Sequence, residues 1–468
     1  MRMGIGLGIG INRSNYAQGI FSAYQSRVVA DGGITEGGAC VNAVSSLLQS
    51  ASLLLIPSGY KGGKAYAEIP TNGNGDLTWT RASTALRTNS SGLLESMGSG
   101  VPRLSYMYGS CPALLLEPQR TNLALYSEDF TNGWSLEGLT VSSNTTTAPD
   151  GNTTADRVTE SAITDVHRIY RSAYTITSGT TYTYSLFVLK GTSRYCRLSF
   201  NQSSSASIWA AAQFDLDTLT FTSGVGSGGG TFSGATISQL PNSSWIRITI
   251  SASLATTSAF AFFALSNGTA ISSSDSRGCN SYLGSTSNNL IIWGAQLELG
   301  AYATTIIPTT TASATRVADS FSRNNIYTNG LISASGGTWF VELRGNVAYT
   351  RDAFGAGLYI SDTTNISSNN INIRNGGTSR LAINKVIAGV STALYLTTTD
   401  TTKLAIKWNG TSADIFANGT KVISATAFTP TAMQFLSCDA TDVPKFIQQM
   451  ALYPSPLSDT DCTTLTTL

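Results

Sequence analysis

Between Asn122 and Pro308 the chain keeps one texture: short runs with strand periodicity, each closed by Ser, Gly or Asn. YTYSLFVLK, YCRLSF, AAQFDLDTLTF, WIRITISASL and FAFFAL follow one another with no helical repeat between them. β-Branched and aromatic residues suit a pleated, half-buried surface, and turn formers this closely spaced leave little room for helices. Such a series buries its apolar faces by folding into packed antiparallel sheets, so the expected fold class is mainly β. In LIIWGAQLELG, the residues Ile291, Trp293, Ala295, Leu297 and Leu299 are expected on one face, with Gln296 and Glu298 on the other. SGVGSGGGTFSG (residues 223–234) lacks a periodic apolar face and is expected to be an exposed loop.

A second β-region follows. In KLAIKWNGTSADIFANGTKVISA, Asn409-Gly410 and Asn418-Gly419 punctuate three short strands, and Asn-Gly supplies the positive φ angles of a tight hairpin turn. This predicts a three-stranded meander, and FIQQMALYPSPLSDTDCTTLTTL predicts a strand, a Pro-bracketed turn and a short polar tail. The Thr-rich stretch 307–322 between the two regions is expected to be a linker. At the other end, GITEGGACVNAVSSLLQS carries Val41, Val44, Leu47 and Leu48 at helical spacing and predicts the one substantial helix. Ahead of it, Ile5, Leu7, Ile9 and Ile11 alternate with glycines, as in an extended arm whose bare face lets another backbone approach.

Composition narrows the function. With 468 residues, more than one core is expected. Charged residues are 12% and the net charge is +1, so no field draws nucleic acid or anionic lipid. No apolar stretch reaches the roughly 20 residues of a membrane span. The abundance of Ser, Thr and Gly could signal disorder, but disorder usually comes with high net charge and few aromatics, and 7 Trp, 19 Tyr and 17 Phe argue for packed cores. Cys40, Cys111, Cys196, Cys279, Cys438 and Cys462 form no CxxC pair, and the lone His167 cannot complete a zinc site. Free buried thiols are expected, which points to assembly in a reducing compartment.

Several stretches, in this order, resemble modules of tailed-bacteriophage fibres and other virion-surface proteins. GDLTWTRASTALRTNSSGLLES with GVPRLSY resembles an N-terminal conserved block. CPALLLEPQRTNLALYSEDFTNGW resembles the opening of a carbohydrate-binding-type jelly roll, and WGAQLELGAYATTIIPTTTASATRVAD resembles its close. KWNGTSADIFANGTKVIS with MALYPSPLSDTDCTTL is similar to a laminin-G/concanavalin-like sandwich. The resemblance implies tandem antiparallel β-sandwiches (jelly rolls) behind a small N-terminal attachment region with one short helix. It divides the chain into 1–60 (arm and helix, virion attachment), 61–115 (β-rich block), 116–308 (jelly roll), 309–330 (linker) and 331–468 (second sandwich). It makes LLLEPQRTN the first jelly-roll strand and its exit, with Phe130 and Trp134 as core aromatics.

The function it implies is a fibre-type structural protein of the virion, assembled in the host cytoplasm as a homotrimer. Other virion proteins would be bound through the N-terminal region, with Ile5, Leu7, Ile9 and Ile11 docking, and host-surface glycan through the sandwiches. The alternative is a head fibre or decoration protein with a purely structural role. Sugar recognition needs an aromatic face ringed by hydrogen-bonding side chains, and the candidate aromatics are Tyr195, Trp209, Tyr282, Tyr349 and Tyr359. An enzyme is not expected, nor a catalytic residue. A depolymerase would need two carboxylates roughly 5–10 Å apart. Asp215 and Asp217 come nearest, about 7 Å apart on one strand face by i,i+2 geometry. Glu128 and Asp129 are expected in a turn, and His167 as a satisfied or exposed strand residue. No cofactor or metal is expected. Calcium stays open because lectin-like sandwiches sometimes carry it and because 361–370 and 458–462 offer oxygens.

Overall fold

The computed structural model describes residues 13–41, 45–334, 336–345, 357–363, 369–377, 380–387, 390–397, 401–430, 432–439 and 445–467. Among them lie two antiparallel β-sandwiches, as the strand periodicity requires, but one is inserted into the other. The outer sandwich is built from both ends of the chain. Its ten-stranded sheet runs Ile34–Thr35, Gly59–Lys61, Lys64–Ala65, Leu77–Thr80, then Ser320–Asn324, Phe435–Asp439, Leu358–Ser361, Asn370–Gly377, Arg380–Ile387 and Val390–Thr397. In the facing eight-stranded sheet, Lys445–Tyr453 pairs with Leu53–Leu55 and with Ala113–Leu116. The joining registers are Thr78↔Ser322 and Trp79↔Phe321 in one sheet and Leu115↔Phe446 in the other. Leu77, Trp79, Leu114 and Leu116 therefore share one core with Trp339, Trp408 and Met450.

The inserted jelly roll has two six-stranded sheets. One comprises Trp134–Glu137, Arg168–Thr175, Ser258–Ser266, Tyr195–Gln202, Trp209–Asp215 and Thr220–Ser227. The other comprises Leu139–Thr146, Ala155–Glu160, Asn289–Leu299, Thr181–Lys190, Trp245–Leu254 and Gly230–Gln239. The chain passes in on Arg120–Asn122 and out on Ala314–Arg316, which pair with each other. The five-part division expected from the sequence follows the chain, whereas the sheets cut across it. The 61–115 block and 331–468 share both sheets, and 309–330 holds two strands rather than a bare linker. LLL of LLLEPQRTN belongs to the outer sandwich, paired with Arg103–Ser105 and Lys445–Tyr453, and does not begin the jelly roll.

A buried ionic cluster holds the neck. Asp319 Oδ1 lies 2.9 Å from Arg81, its Oδ2 meets Arg103, and Arg103 lies 2.6 Å from Glu117. Arg316 also reaches Glu117, at 3.0 Å. From the jelly-roll side, Thr305 donates its backbone N–H and hydroxyl to Glu117. Burial alone would raise the Glu117 carboxyl, but Arg316, Arg103 and Thr305 hold it down to about 2. Next to this cluster, Leu86 and Leu94 pack on Phe187, Trp245, Ile291 and Trp293 of the insertion.

That contact explains a departure from the expected alternation. A bulge at Gly294, φ +68°, lets two residues oppose one on the Thr181–Lys190 strand. Leu290 and Ile292 face the jelly-roll core before the bulge, and Ala295 and Leu297 after it. Ile291 and Trp293 turn instead to the outer face, against Leu86 and Leu94. Leu299 is 50% exposed. A Cβ at Gly294 would come within 2.9 Å of the Phe187 ring, so the bulge needs glycine for space as well as for φ.

Other local expectations sort by how local their cause is. The meander forms as Thr401–Trp408, Ser412–Ala417 and Thr420–Ala427, with Asn418 and Gly419 at φ +46° and +81° in its second turn. Phe130 and Trp134 are core residues with ring centroids 4.9 Å apart. The glycine-rich 223–234 is not a loop: it forms the ends of two strands, one in each sheet of the jelly roll, joined by a Gly228-Gly229 turn. The longest helix is Arg13–Ala30, seated by Tyr24 and Val28 against Tyr66. Of the expected helical stretch, the described residues form the short helices Gly38–Val41 and Ser46–Gln49, and Val44 lies outside the described residues. The polar tail is a helix, Asp459–Thr466, capped by Ser458 and packed through Cys462 and Leu465. No described helix is long and apolar enough to cross a membrane.

Candidate functional site

The outer face of the ten-stranded sheet carries a groove of about 310 Å³. Its floor follows from strand alternation. Leu77, Trp79, Phe321, Leu436, Cys438, Leu358 and Ile360 point into the core, so their neighbours in sequence must point out. Register aligns those outward residues into rows across the strands. One row is Thr78, Ser322, Ser437, Tyr359 and Asn372, and a second is Thr80, Ser320 and Asp439. Phe435 and Asn324 close one side.

Tyr359 is the only tyrosine among the described lining residues and is 6% exposed. Its hydroxyl hydrogen-bonds with Ser437 and Asp439, and burial raises its pKa. Burial also raises the Asp439 carboxyl, against the opposing pull of the Tyr359 bond and the Lys445 charge. Thr80 and Ser320 hydroxyls are 2.5 Å apart on the neighbouring row. The groove therefore offers hydroxyls, amides, one carboxylate and two rings, Tyr359 and Phe435, on a rigid sheet. Strands about 4.8 Å apart put a new donor or acceptor at each step across it. Hydroxyl-rich ligands fit that pattern. Asp439 is the one carboxylate among the described lining residues.

The other sequence candidates lie elsewhere. Trp209 is 1% exposed because the 267–284 segment crosses over it, and it packs with Ala211 and Ile271. Its strand-alternation position points outward, but the covering segment turns that face into a second small core. Tyr282 donates to Glu160 at 2.6 Å and sits against the His167 ring. Tyr195, half-buried at a strand start, carries the Arg194 guanidinium 5.0 Å from its ring centroid. Tyr349 and the arm residues Ile5, Leu7, Ile9 and Ile11 lie outside the described residues. Sequence reasoning singled out Tyr359 but missed Asp439, Ser437, Ser322 and Phe435, because nothing local marks which polar residues share a row.

The acids considered for catalysis hold turns. Asp215 ends its strand, pairs with Arg194 at 2.6 Å and accepts the Asp217 N–H at 2.9 Å. Asp217 lies beyond that strand, exposed and paired with Lys190, so the two do not share a strand face. Asp129 accepts from the Thr131 N–H and hydroxyl, as its turn position predicts. His167 is buried just before the Arg168–Thr175 strand rather than in it, its ring nitrogens 2.7 and 3.2 Å from the carbonyl oxygens of Gly138 and Tyr282. In 458–462, Asp459 contacts Lys407 and Lys421 and Ser458 caps the helix. No group of three or more His, Cys, Asp or Glu able to hold a metal occurs among the described residues. Cys40 and Cys111 are joined in a disulfide, contrary to the expected free thiols. Folding brings 37–40 beside Pro112, a proximity that 71 residues of separation hide. The remaining four cysteines are free and buried, as expected.

No family model and no curated protein matches the chain. Among solved structures, domain 4 of AbnA, a GH43 extracellular arabinanase from Geobacillus stearothermophilus, is similar at 14% identity and TM-score 0.25, covering 35% of this chain and 82% of that one. The CBM40 of the Ruminococcus gnavus IT-sialidase is similar at 16% identity and TM-score 0.22, covering 29% and 84%. Sheep galectin-11 is similar at 9% identity and TM-score 0.19, covering 26% and 92%. At this level of likeness, what the chain binds has to be argued from its own residues.

Proposed function

We propose that this chain is a fibre-type structural protein of a tailed-phage virion, not an enzyme, that holds host-surface glycan in the Tyr359 groove. The observation that carries the binding part is the aligned polar row Thr78, Ser322, Ser437, Tyr359 and Asn372 beside Asp439 and Phe435. Sugar hydroxyls exchange water for these fixed donors and acceptors, and a pyranose face has the half-buried Phe435 ring to lie against. Single sites of this kind are weak, which suits a homotrimer whose copies engage together. The virion assignment rests on the resemblance of the WTRAS, EPQRTN and TRVAD stretches to phage fibre modules. In this reading the N-terminal region contacts other virion proteins and no nucleic acid, membrane, cofactor or metal takes part. Assembly in the host cytoplasm leaves Cys40–Cys111 to be oxidised after release.

The test uses the full chain, because residues before 116 complete the outer sandwich. Protein is mixed with host cells and with their isolated surface polysaccharide, and retention and released reducing sugar are read together. Retention without release is expected, falling about 5- to 30-fold in Tyr359→Ala or Asp439→Asn, the equivalent of one or two lost hydrogen bonds. Release of reducing sugar would overturn the non-enzymatic reading. Absence of retention by folded protein would favour the alternative, a head fibre or decoration protein whose sandwiches pack on neighbouring subunits.

A further inference from the structure

The jelly roll carries a surface of different chemistry. On the paired strands Arg168–Thr175 and Ser258–Ser266, Ile169, Ala261 and Phe263 face the core, so Tyr170, Phe260 and Phe262 face out. The three rings form one platform. Tyr170 lies 4.6 Å from Phe262 and 5.5 Å from Phe260, centroid to centroid, and the two phenylalanines are 5.9 Å apart, edge to face. Tyr170 and Phe260 are half-buried, leaving ring surface open.

Two guanidiniums lie on this platform. Arg168 sits 4.8 Å from the Phe262 centroid and is neutralised by Glu137 at 2.6 Å. Arg277 sits 5.4 Å from Phe260 and 5.9 Å from Phe262. Its hydrogen bonds go to the carbonyls of Gln202, at 2.7 Å, and Ser203, at 3.4 Å, neither of which carries charge. Burial, with Arg168 close by, lowers its pKa from the ordinary arginine value. Glu137 also acts on Arg277, so two guanidiniums share one carboxylate and the aromatic surface keeps a net positive charge.

The backbone at Arg277 adds a second, independent observation. Its φ is +58°, a left-handed conformation that long L side chains rarely adopt and glycine adopts freely. The loop is locked there from beneath. Ser199 donates to the Arg277 carbonyl at 2.6 Å, and the buried Arg197 pairs with Asp275 at 2.9 Å and donates to the Gly278 carbonyl at 3.0 Å. An arginine kept where glycine would fold with less strain marks a position held for its side chain.

We infer that this platform binds an acidic sugar, a uronic or sialic acid residue whose carboxylate pairs with Arg277 while its ring lies on Tyr170 and Phe260. The charge complementarity and the aromatic floor select that occupant. Only the choice of a sugar as carrier of the carboxylate rests on the glycan-binding function proposed above.

The full chain is titrated with sialyllactose and with oligogalacturonate, against lactose as the neutral probe. At least one acidic probe is expected to bind about tenfold tighter than lactose, with the gap closing as salt rises. Arg277→Gly is expected to lose about tenfold for that probe while its melting temperature stays equal or rises, since glycine accepts the left-handed backbone. A purely structural Arg277 would lower the melting temperature instead. Tyr170→Ala, at a half-buried ring, is the second arm and should weaken the same probe. Lactose binding as tightly as both acidic probes, or Arg277→Gly binding like the native chain, would overturn the inference. Should Arg277→Gly fail to fold, unchanged binding by Tyr170→Ala would overturn it. Sialyllactose binding without retention of host polysaccharide would defeat the proposed function and leave this site standing; the reverse result would defeat this site alone.

Discussion

Replacing Asp319 by Asn should weaken the outer sandwich more than any surface change could. Asp319 is fully buried, its carboxylate faces Arg81 and Arg103, whose side chains are also fully buried, and it accepts the Glu117 N–H at 2.9 Å. The amide keeps the shape and one acceptor but removes the charge and turns an NH₂ toward a guanidinium. Arg81, Arg103 and Arg316 would then face one fewer carboxylate in a site without water access. Breaking a buried pair from one side costs about 3–5 kcal/mol, a large part of the roughly 5–15 kcal/mol that holds a domain folded. Urea unfolding followed by tryptophan fluorescence reads this directly. With an m-value of roughly 2 kcal/mol per M, a loss of about 4 kcal/mol moves the midpoint down by about 2 M. The shift belongs to the transition that exposes Trp79, Trp339 and Trp408, which lie in the outer core. A shift below about 0.5 M would refute the reasoning, because it would mean the neck arginines find equivalent partners without Asp319.

Other outcomes follow from the same physical picture. Glu68 is buried, and burial raises its carboxyl to about 8 despite bonds from Ser58 and the Ile56 N–H. A raised folded pKa means its contribution is complete below the ordinary carboxylate value and disappears as pH climbs through about 8, so stability should fall from pH 5 to pH 9 and Glu68→Gln should flatten that slope in melting curves. Reducing Cys40–Cys111 opens a loop spanning 71 residues, worth about 4 kcal/mol by chain entropy, so thiol labelling before and after reduction should accompany a fall in the urea midpoint. A fragment covering 119–317 should fold alone, since its two ends pair at Asn122↔Ala314, whereas one starting at residue 116 and running to the C-terminus should be destabilised, lacking most of the strands that pair with Ser320–Asn324 and Lys445–Tyr453; circular dichroism and cooperative melting distinguish them. Gly294→Val should cost about 2–4 kcal/mol, combining backbone strain with a clash against Phe187, measured in the jelly-roll transition.

Much of this architecture was legible along the chain wherever the cause is local. Alternation marks Thr181–Lys190 and Trp245–Leu254 as strands, Asn418-Gly419 marks a hairpin, and Phe130 and Trp134 mark a core, because each depends on neighbours a few residues away. Where alternation was extended past its local warrant it failed. Gly294 inserts one residue and exchanges the faces of Ile291 and Trp293, which then find Leu86 and Leu94 as partners. The glycines of 223–234 read as a loop, yet most lie in strand ends, and two of them leave no room for a side chain: a Cβ at Gly226 would strike the Gly230 backbone and one at Gly230 the Trp209 backbone.

The sequence by itself determined the class of the fold, its strands and several tight turns, since backbone preference and apolar periodicity act over a few residues. It also supplied the charged residues Arg81, Arg103, Glu117, Arg316 and Asp319 in separate stretches with no sign that they meet. Only the tertiary structure decided that Leu77–Thr80 pairs with Ser320–Asn324, across an inserted jelly roll. From that one pairing follow the buried neck and the row Thr78, Ser322, Ser437 and Tyr359. The physical reason is that a strand edge carries the same N–H and C=O pattern whatever its sequence. Which edge it meets depends on closing both sheets over a single core at once, and a polar residue joins a binding surface only when that closure aligns it with others.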